Sequence, residues 1–171
     1  MAKARKLNLY DLKNKFGVGY DSNNKEFYFD LEDYNLIKNF TWHVSKNSVE
    51  TKIQNNKGLL LHRLIMGCYK NLNYDRNLIQ NKGLGIDHIN HNICDNRKIN
   101  LRFATKIQNG QNRRSAKGWR YEPKKKRYSA RIVVNKKQMH LGYFDNSQLA
   151  RDAYLKARQK YFKKFAPEVQ Q

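Results

Sequence analysis

Hydrophobic and polar residues alternate most clearly towards the carboxyl end of the chain. In RYSARIVV (residues 127–134) every second residue from Tyr128 to Val134 is apolar or small, and KQMHLG (137–142) continues the alternation. A period of two is typical of β-strands with one buried face. GWRYEP supplies a third strand upstream, and the turn-prone NKK joins the other two as a hairpin. We therefore predict a three-stranded antiparallel sheet.

After this sheet the apolar residues recur with a helical period. The stretch 146–165 predicts a helix that begins at Asn146 or Ser147, both of which are good capping residues. One face of that helix carries Leu149, Ala150, Ala153, Tyr154 and Ala157. Because this face can cover the apolar face of the sheet, we predict one sheet packed on one helix.

The earlier part of the chain has shorter patterns. A strand-like aromatic cluster, Phe27 to Phe29, is followed by Asp30, which we predict to cap a short helix. LLLHRLIMG predicts a strand that leads into a short helix ended by Gly67. IDHI and NLRFAT predict two brief strands around a long polar loop, and Thr105 can cap the helix that follows them.

The charge of the chain indicates the class of partner. Lys and Arg number 35 against 14 Asp and Glu, which gives a formal net charge of +21. So many cations favour a polyanionic partner, because neutralised phosphates release their counterions; a merely soluble basic protein is the alternative. No secretory signal or membrane span is predicted, and Cys68 and Cys94 suit free thiols in a reducing compartment. We expect a cytoplasmic protein.

Three possible metal ligands, His88, His91 and Cys94, stand three residues apart in the polar loop. Zinc sites usually combine two pairs of ligands across a longer loop, and no second pair follows here. We therefore predict no zinc and assign His91 and Cys94 to the loop, with a structural zinc site as the alternative.

The Asp87–His88 pair suggests hydrolytic chemistry. Neighbours on a strand point to opposite sides, so Asp87 can hold a hard cation while His88 acts on a water molecule. Imidazole titrates near neutrality and can take the proton of the attacking water in phosphodiester hydrolysis. A later amide oxygen from Asn109 would leave most of the coordination shell open, as magnesium prefers. Arg63 or Arg102 can add a phosphate clamp, and a structural role, as a salt bridge or a solvated strand residue, is the alternative for Arg102.

The stretch DHINHN…DNRKINLRFATKIQN closely resembles the HNH, or ββα-metal, motif of phage and homing endonucleases, and LHRLIMG extends the likeness upstream. The resemblance implies that His88 is the general base and that Asp87 and Asn109 bind one divalent metal, Mg²⁺ with Mn²⁺ as a substitute. It also implies that Asn100 braces the loop and keeps His88 oriented. The terminal position is Asn here rather than His. For His62, a structural hydrogen bond and a site-lining role both stay open.

The second face of the predicted C-terminal sheet is polar and basic. A narrow sheet with such a face can enter a major groove, and a solvated surface is the alternative for its lysines. The residues that we predict to bind DNA are Arg120, Lys126, Arg131, Lys137, Gln138 and His140.

GWR, YSARI, HLGYFD and ARDAYLKA resemble the ethylene-response-factor type of plant DNA-binding domain, which recurs in phage HNH endonucleases. The resemblance implies that the three-stranded sheet reads DNA. Arg120 matches one of the reading arginines. Gln138 and His140 stand at positions that resemble an arginine and a tryptophan of the family, so its base preference does not transfer. The alternation places Trp119 in the core.

Together these patterns predict an α+β protein with a small mixed module (1–57), a central ββα-metal nuclease core (58–112) and a C-terminal domain (113–171) in which a three-stranded antiparallel sheet packs on one helix. We expect a metal-dependent endonuclease of phage or homing type that cuts double-stranded DNA in the cytoplasm of a bacterial or phage-infected cell. No membrane contact or obligate protein partner is predicted. A catalytically inactive DNA-binding regulator and an RNA-binding protein are the alternatives, because basic charge alone does not select the nucleic acid.

Overall fold

The structure is a computed structural model that describes residues 7–53, 57–70, 73–74, 83–113 and 116–166. The strands are β1 Leu9–Asp11, β2 Gly17–Tyr20, β3 Glu26–Phe29, β4 His43–Val44, β5 Val49–Lys52, β6 Gly58–Leu60, β7 Tyr69–Lys70, β8 Asn73–Tyr74, β9 Leu84–His88, β10 Leu101–Thr105, β11 Trp119–Glu122, β12 Arg127–Val134 and β13 Lys137–Phe144. The helices are α1 Tyr34–Ile37, α2 Leu61–Ile65, α3 Lys106–Gln111 and α4 Ser147–Phe162. Short 3₁₀ turns cover Leu31–Asp33, Lys98–Asn100, Pro123–Lys125 and Lys163–Phe165.

The protein is α+β, as predicted, and it divides into two compact units, residues 1–106 and 107–171. In the first unit, small antiparallel sheets follow one another along the chain: β1-β2-β3, β4-β5-β6, the pair β7-β8 and the pair β9-β10. In the second unit, β11, β12 and β13 form one antiparallel sheet. Within the described residues, none of the helices has the length and apolar character needed to cross a membrane.

One hydrophobic core holds the first unit together. Phe27 and Phe29 of β3, Trp42, and Leu61 of α2 are fully buried in it, and Leu101 of β10 joins them. These residues come from both the first and the second segment of the sequence, so the two segments share one interior. The strand pair β9-β10, which carries Asp87 and His88, is therefore packed against the N-terminal sheet β1-β2-β3.

Asp30 stands at the predicted N-cap position, but its side chain does not cap the helix start. Its side chain makes no hydrogen bond to the following 3₁₀ turn. Instead, Asp30 Oδ2 accepts a hydrogen bond from the backbone N–H of Lys98, at 2.7 Å. The first N–H groups of a short, exposed helix can bind water, so they do not need the Asp30 carboxylate. That carboxylate binds the N–H of Lys98 instead, at the beginning of a 3₁₀ turn next to β10.

The second unit confirms the predicted sheet packed on one helix. Asn146 caps α4 by accepting a hydrogen bond from the N–H of Leu149, at 2.8 Å. The buried stripe of α4 runs through Ala150, Tyr154 and Ala157, and the last two pack in one core with Ile132 of β12.

Two side chains in this unit differ from the prediction. Leu149 is 49% exposed, because it lies about 100° around the helix from Ala150 and the stripe continues through Arg158 instead. Trp119 is only half-buried, at the end of β11, where its ring packs edge-on against Tyr128.

Two glycines of the second unit provide a test of its packing. Gly118 has a φ of +65°, and a Cβ there would lie 2.2 Å from ring atoms of Tyr154, whereas a Cβ on Gly110 in α3 would meet nothing within 4 Å. We expect Gly118→Ala to lower the free energy of unfolding by about 2–4 kcal/mol, from backbone strain and overpacking. Gly110→Ala should raise it by up to about 1 kcal/mol through helix propensity. Urea denaturation of both variants measures this, and equal effects would contradict the packing described here.

Candidate active site

The paired strands β9 and β10 position the predicted catalytic residues. Asp87 lies opposite Arg102, and His88 lies opposite Leu101. Successive side chains on a strand point to opposite faces. Asp87 is buried at 6% exposure, and His88 is half-buried.

The carboxylate of Asp87 is engaged by an arginine. Arg102 donates two hydrogen bonds to Asp87 Oδ2, from Nε at 2.8 Å and from Nη2 at 2.7 Å. Of the two roles left open for Arg102, the structure contains the salt bridge. Because the two residues face each other across the strand pair, their ion pair follows from the register itself.

His88 is held by Asn96, a residue that the sequence analysis did not single out. Asn96 is fully buried, and its Oδ1 lies 3.3 Å from Nε2 of His88. The amide nitrogen of Asn96 donates to the carbonyls of Ile93 and Cys94 at 3.3 and 3.0 Å, so its oxygen must face the imidazole. Nε2 of His88 therefore carries the hydrogen, and Nδ1 is the nitrogen that can accept a proton.

The surroundings of His88 favour its neutral form. Burial lowers the pKa of His88 below its usual value, while the hydrogen bond to Asn96 and the charges of Asp87 and Asp95 act in the opposite direction. A lowered pKa leaves the imidazole neutral at pH 7. The neutral form is the one that can serve as a general base.

A second histidine packs against the first. The rings of His62 and His88 meet edge to face, with centroids 5.2 Å apart and an interplanar angle of 84°. Burial, then the charges of His88 and Arg63, lowers the pKa of His62 to about 3. Of the two roles left open for His62, this contact places it against the candidate base. Arg63 is half-buried beside it in α2.

The asparagines of the loop serve mainly to satisfy its backbone. Asn100 Oδ1 accepts from the N–H of Asn90 at 3.0 Å, and Asn100 Nδ2 donates to the carbonyl of Asp95 at 2.7 Å. Asn100 thus braces the loop between the two strands, while Asn96 contacts the His88 ring. Short amide side chains suit this task because they can replace regular secondary structure as backbone partners.

The N-terminal sheet completes the support of the loop. The N–H of Tyr28 donates to the carbonyl of Cys94, and the N–H of Asn96 donates to the carbonyl of Tyr28, both at 2.8 Å. Lys98 Nζ donates to Asp33 Oδ1 at 2.9 Å. Main-chain hydrogen bonds of Tyr28 therefore attach strand β3 to the loop that holds His88.

The donor chemistry at Asp87 suits a hard cation, because carboxylate oxygens are the ligands that magnesium prefers. Among the residues that the structure describes, no group of three or more His, Cys, Asp or Glu side chains is arranged as a metal site. His91 has a φ of +65° in the loop, and Cys94 is a half-buried free thiol. Asn109 is exposed in α3, in the part of that helix that belongs to the second unit.

The C-terminal sheet region carries the other predicted residues: Arg120, Arg131, Gln138 and His140 lie on the outer face of the sheet, whereas Lys137 lies opposite Val134 and Lys126 lies in the turn before β12. Arg131 lies opposite His140, and Val133 lies opposite Gln138, between the two long strands. Glu122 ties two arginines of this face together: its Oε1 lies 2.6 Å from Arg120 Nε and 3.2 Å from Arg131 Nη2. The predicted residues that are exposed are Arg120, Lys126, Lys137, Gln138 and His140, and Arg131 is half-buried.

Comparison of the whole chain with protein-family models, with curated proteins and with solved structures found no match. The resemblances to HNH endonucleases and to ethylene-response-factor domains therefore stay predictions that rest on the residues quoted for them.

The low pKa of His62 predicts how stability depends on pH. A histidine whose pKa is lowered on folding binds its proton more readily in the unfolded chain, so its contribution to the free energy of unfolding is fully present above about pH 6.5 and is lost as the pH falls towards 3. We expect His62→Gln to reduce the slope of unfolding free energy against pH by up to about 1.4 kcal/mol per unit between about pH 4.5 and 6.5.

Urea denaturation across this pH range measures the slope. His43→Gln is the matched control, since it removes an exposed imidazole from the same unit. A slope in His62→Gln equal to that of the unsubstituted protein would show that His62 is not buried in its neutral form.

Proposed function

We propose that this protein is a metal-dependent DNA endonuclease of the HNH type that acts in the cytoplasm. We propose further that it is a phage or homing enzyme. The observation that carries the proposal is the pairing of a neutral His88, oriented through Nε2 by the buried Asn96, with Asp87 as its neighbour on the strand. A base with a defined tautomer next to a carboxylate suits hydrolysis of a phosphodiester.

One residue of the chain accounts for removal of the water proton, and the leaving oxygen takes its proton from solvent. Nδ1 of His88 takes a proton from a water molecule, whose oxygen attacks phosphorus while the bond from phosphorus to the leaving oxygen breaks. Asn96 keeps the imidazole aligned during this step, and His62 packs against its ring. A divalent cation bound to Asp87 and, by resemblance, to Asn109 would stabilise charge on the phosphate and on the leaving oxygen.

The second unit supports DNA as the substrate. Its sheet presents a basic outer face with amide and imidazole groups, which suits hydrogen bonding to base edges between phosphate contacts. The formal net charge of +21 favours a polyanion over a neutral substrate.

One observation favours a second candidate, a nucleic-acid-binding protein without nuclease activity. Arg102 holds the carboxylate that a metal would need, so the ββα segment can have a purely structural role. Cleavage of plasmid separates this candidate from an enzyme, and competition between duplex DNA and RNA for binding identifies the preferred nucleic acid.

We expect His88→Ala to slow Mg²⁺-dependent cleavage of supercoiled plasmid by about 100-fold or more, because the water loses its general base. DNA binding should stay within about twofold, because the predicted DNA contacts lie elsewhere. Asp87→Asn should also abolish cleavage, since it removes the charged oxygen that a cation requires. A time course that resolves nicked from linear product measures all three proteins.

His43→Ala is the control for the loss of an exposed histidine from the same unit. Cleavage by His88→Ala at the unsubstituted rate at neutral pH would exclude His88 as the base. No cleavage by the unsubstituted protein with Mg²⁺ or Mn²⁺ would favour the binding protein instead.

Salt dependence tests the C-terminal sheet. We expect the double variant Lys126→Asn, Lys137→Gln to flatten the slope of log binding constant against log salt by about one unit per lost phosphate contact. Asn is chosen at position 126 because Lys126 has a φ of +49°, which Asn tolerates. The matched control is Lys156→Gln, Lys160→Gln, two exposed lysines of α4. A larger loss of slope in the control would place the DNA contacts on the helix.

A further inference from the structure

We propose that Arg102 controls cation loading: its guanidinium holds Asp87 in the free protein and transfers to a DNA phosphate when substrate binds. This rests on the proposed nuclease function and adds an order of events to it. The affinity of Asp87 for the cation would be low until DNA binds.

The ion pair is built into the strand register. Arg102 and Asp87 are cross-strand partners, and both Nε and Nη2 of Arg102 converge on the single atom Oδ2, at 2.8 and 2.7 Å. The two side chains are only 13% and 6% exposed. Water therefore screens their attraction poorly, and a cation that approaches Oδ2 must share this oxygen or displace the arginine.

Sharing the oxygen is unfavourable in the free protein. A divalent cation on Asp87 would stand within a few ångströms of a guanidinium charge, and like charges in a poorly solvated site repel strongly. The carboxylate supplies one negative charge, which the arginine already neutralises. Metal affinity in the absence of DNA should therefore be low.

A phosphate of DNA changes this balance. Two of its oxygens can accept paired hydrogen bonds from an arginine fork, as the two oxygens of a carboxylate can, and it brings negative charge of its own. Once Arg102 binds a phosphate, its positive charge no longer neutralises Asp87, and the repulsion between the guanidinium and the cation falls. The effect must be reciprocal: DNA strengthens metal binding by the same factor as metal strengthens DNA binding.

A second ion pair in the same unit provides a matched control. Arg97 donates from Nε and Nη2 to Oδ1 and Oδ2 of Asp95, both at 2.7 Å, and Asp95 also accepts from Asn90. Arg97→Met removes one positive charge and uncovers one carboxylate, as Arg102→Met does. It does so at a different carboxylate, that of Asp95.

The first measurement is binding of Mn²⁺ to the full chain without DNA, followed by the loss of the free-ion electron paramagnetic resonance signal. We expect Arg102→Met to bind Mn²⁺ about tenfold or more tightly than the unsubstituted protein. The double variant Asp87→Asn, Arg102→Met should lose this gain. An unchanged affinity in Arg102→Met, or an equal gain in Arg97→Met, would overturn the proposal.

The second measurement does not depend on how well Arg102→Met folds. Mn²⁺ binding to His88→Ala, which should not cleave, is compared with and without a 20-base-pair duplex, and Asp87→Asn, His88→Ala supplies the reference for ions bound by DNA alone. We expect the duplex to raise the affinity that depends on Asp87 by about tenfold or more. Equal affinity with and without duplex would overturn the exchange of partners.

The two proposals fail in different ways. If Asp87→Asn leaves Mn²⁺ binding unchanged even with duplex present, Asp87 is not a ligand and the proposed nuclease site is wrong. If Mn²⁺ binding depends on Asp87 but is the same with and without duplex, and is also unchanged in Arg102→Met, the nuclease site stands and the role of Arg102 in loading is refuted.

Discussion

Asn96 connects His88 to the polar loop and to strand β3. Its backbone N–H binds Tyr28 of β3, its amide nitrogen binds two carbonyls of the loop, and its oxygen faces His88. Because this amide is fully buried, each lost bond would leave a desolvated polar group, which is costly. The orientation of the candidate base therefore depends on the N-terminal sheet as well as on its own strand.

The acidic residues of this basic chain are concentrated where they order other groups. Asp87 pairs with Arg102, Asp33 with Lys98, and Asp95 with Arg97. Burial alone would raise the pKa of Asp95, but the hydrogen bonds and charge of Arg97 hold it below the usual value. In the second unit Glu122 plays a similar part between Arg120 and Arg131. In a chain of net charge +21, these carboxylates thus hold five Lys and Arg side chains in defined positions.

Periodic segments were predictable because their partners are close in sequence. The hairpin β12-β13, the helix α4 and its cap Asn146 follow from alternation, helical period and capping chemistry, each of which is local. Asp30 was misassigned by the same local reasoning. Its hydrogen bond partner, Lys98, is 68 residues away, and no pattern in the sequence links the two.

The sequence by itself determined the α+β character, the strand pair β9-β10 and the adjacency of Asp87 and His88, since backbone period and chain neighbourhood suffice for these. It also indicated an asparagine-braced loop without showing which asparagine faces the histidine. Only the tertiary structure decided that Asn96 orients His88, that His62 packs on its ring and that Arg102 holds Asp87. These contacts depend on strand register and on loop geometry, in which residues distant along the chain meet in a shared, poorly solvated interior.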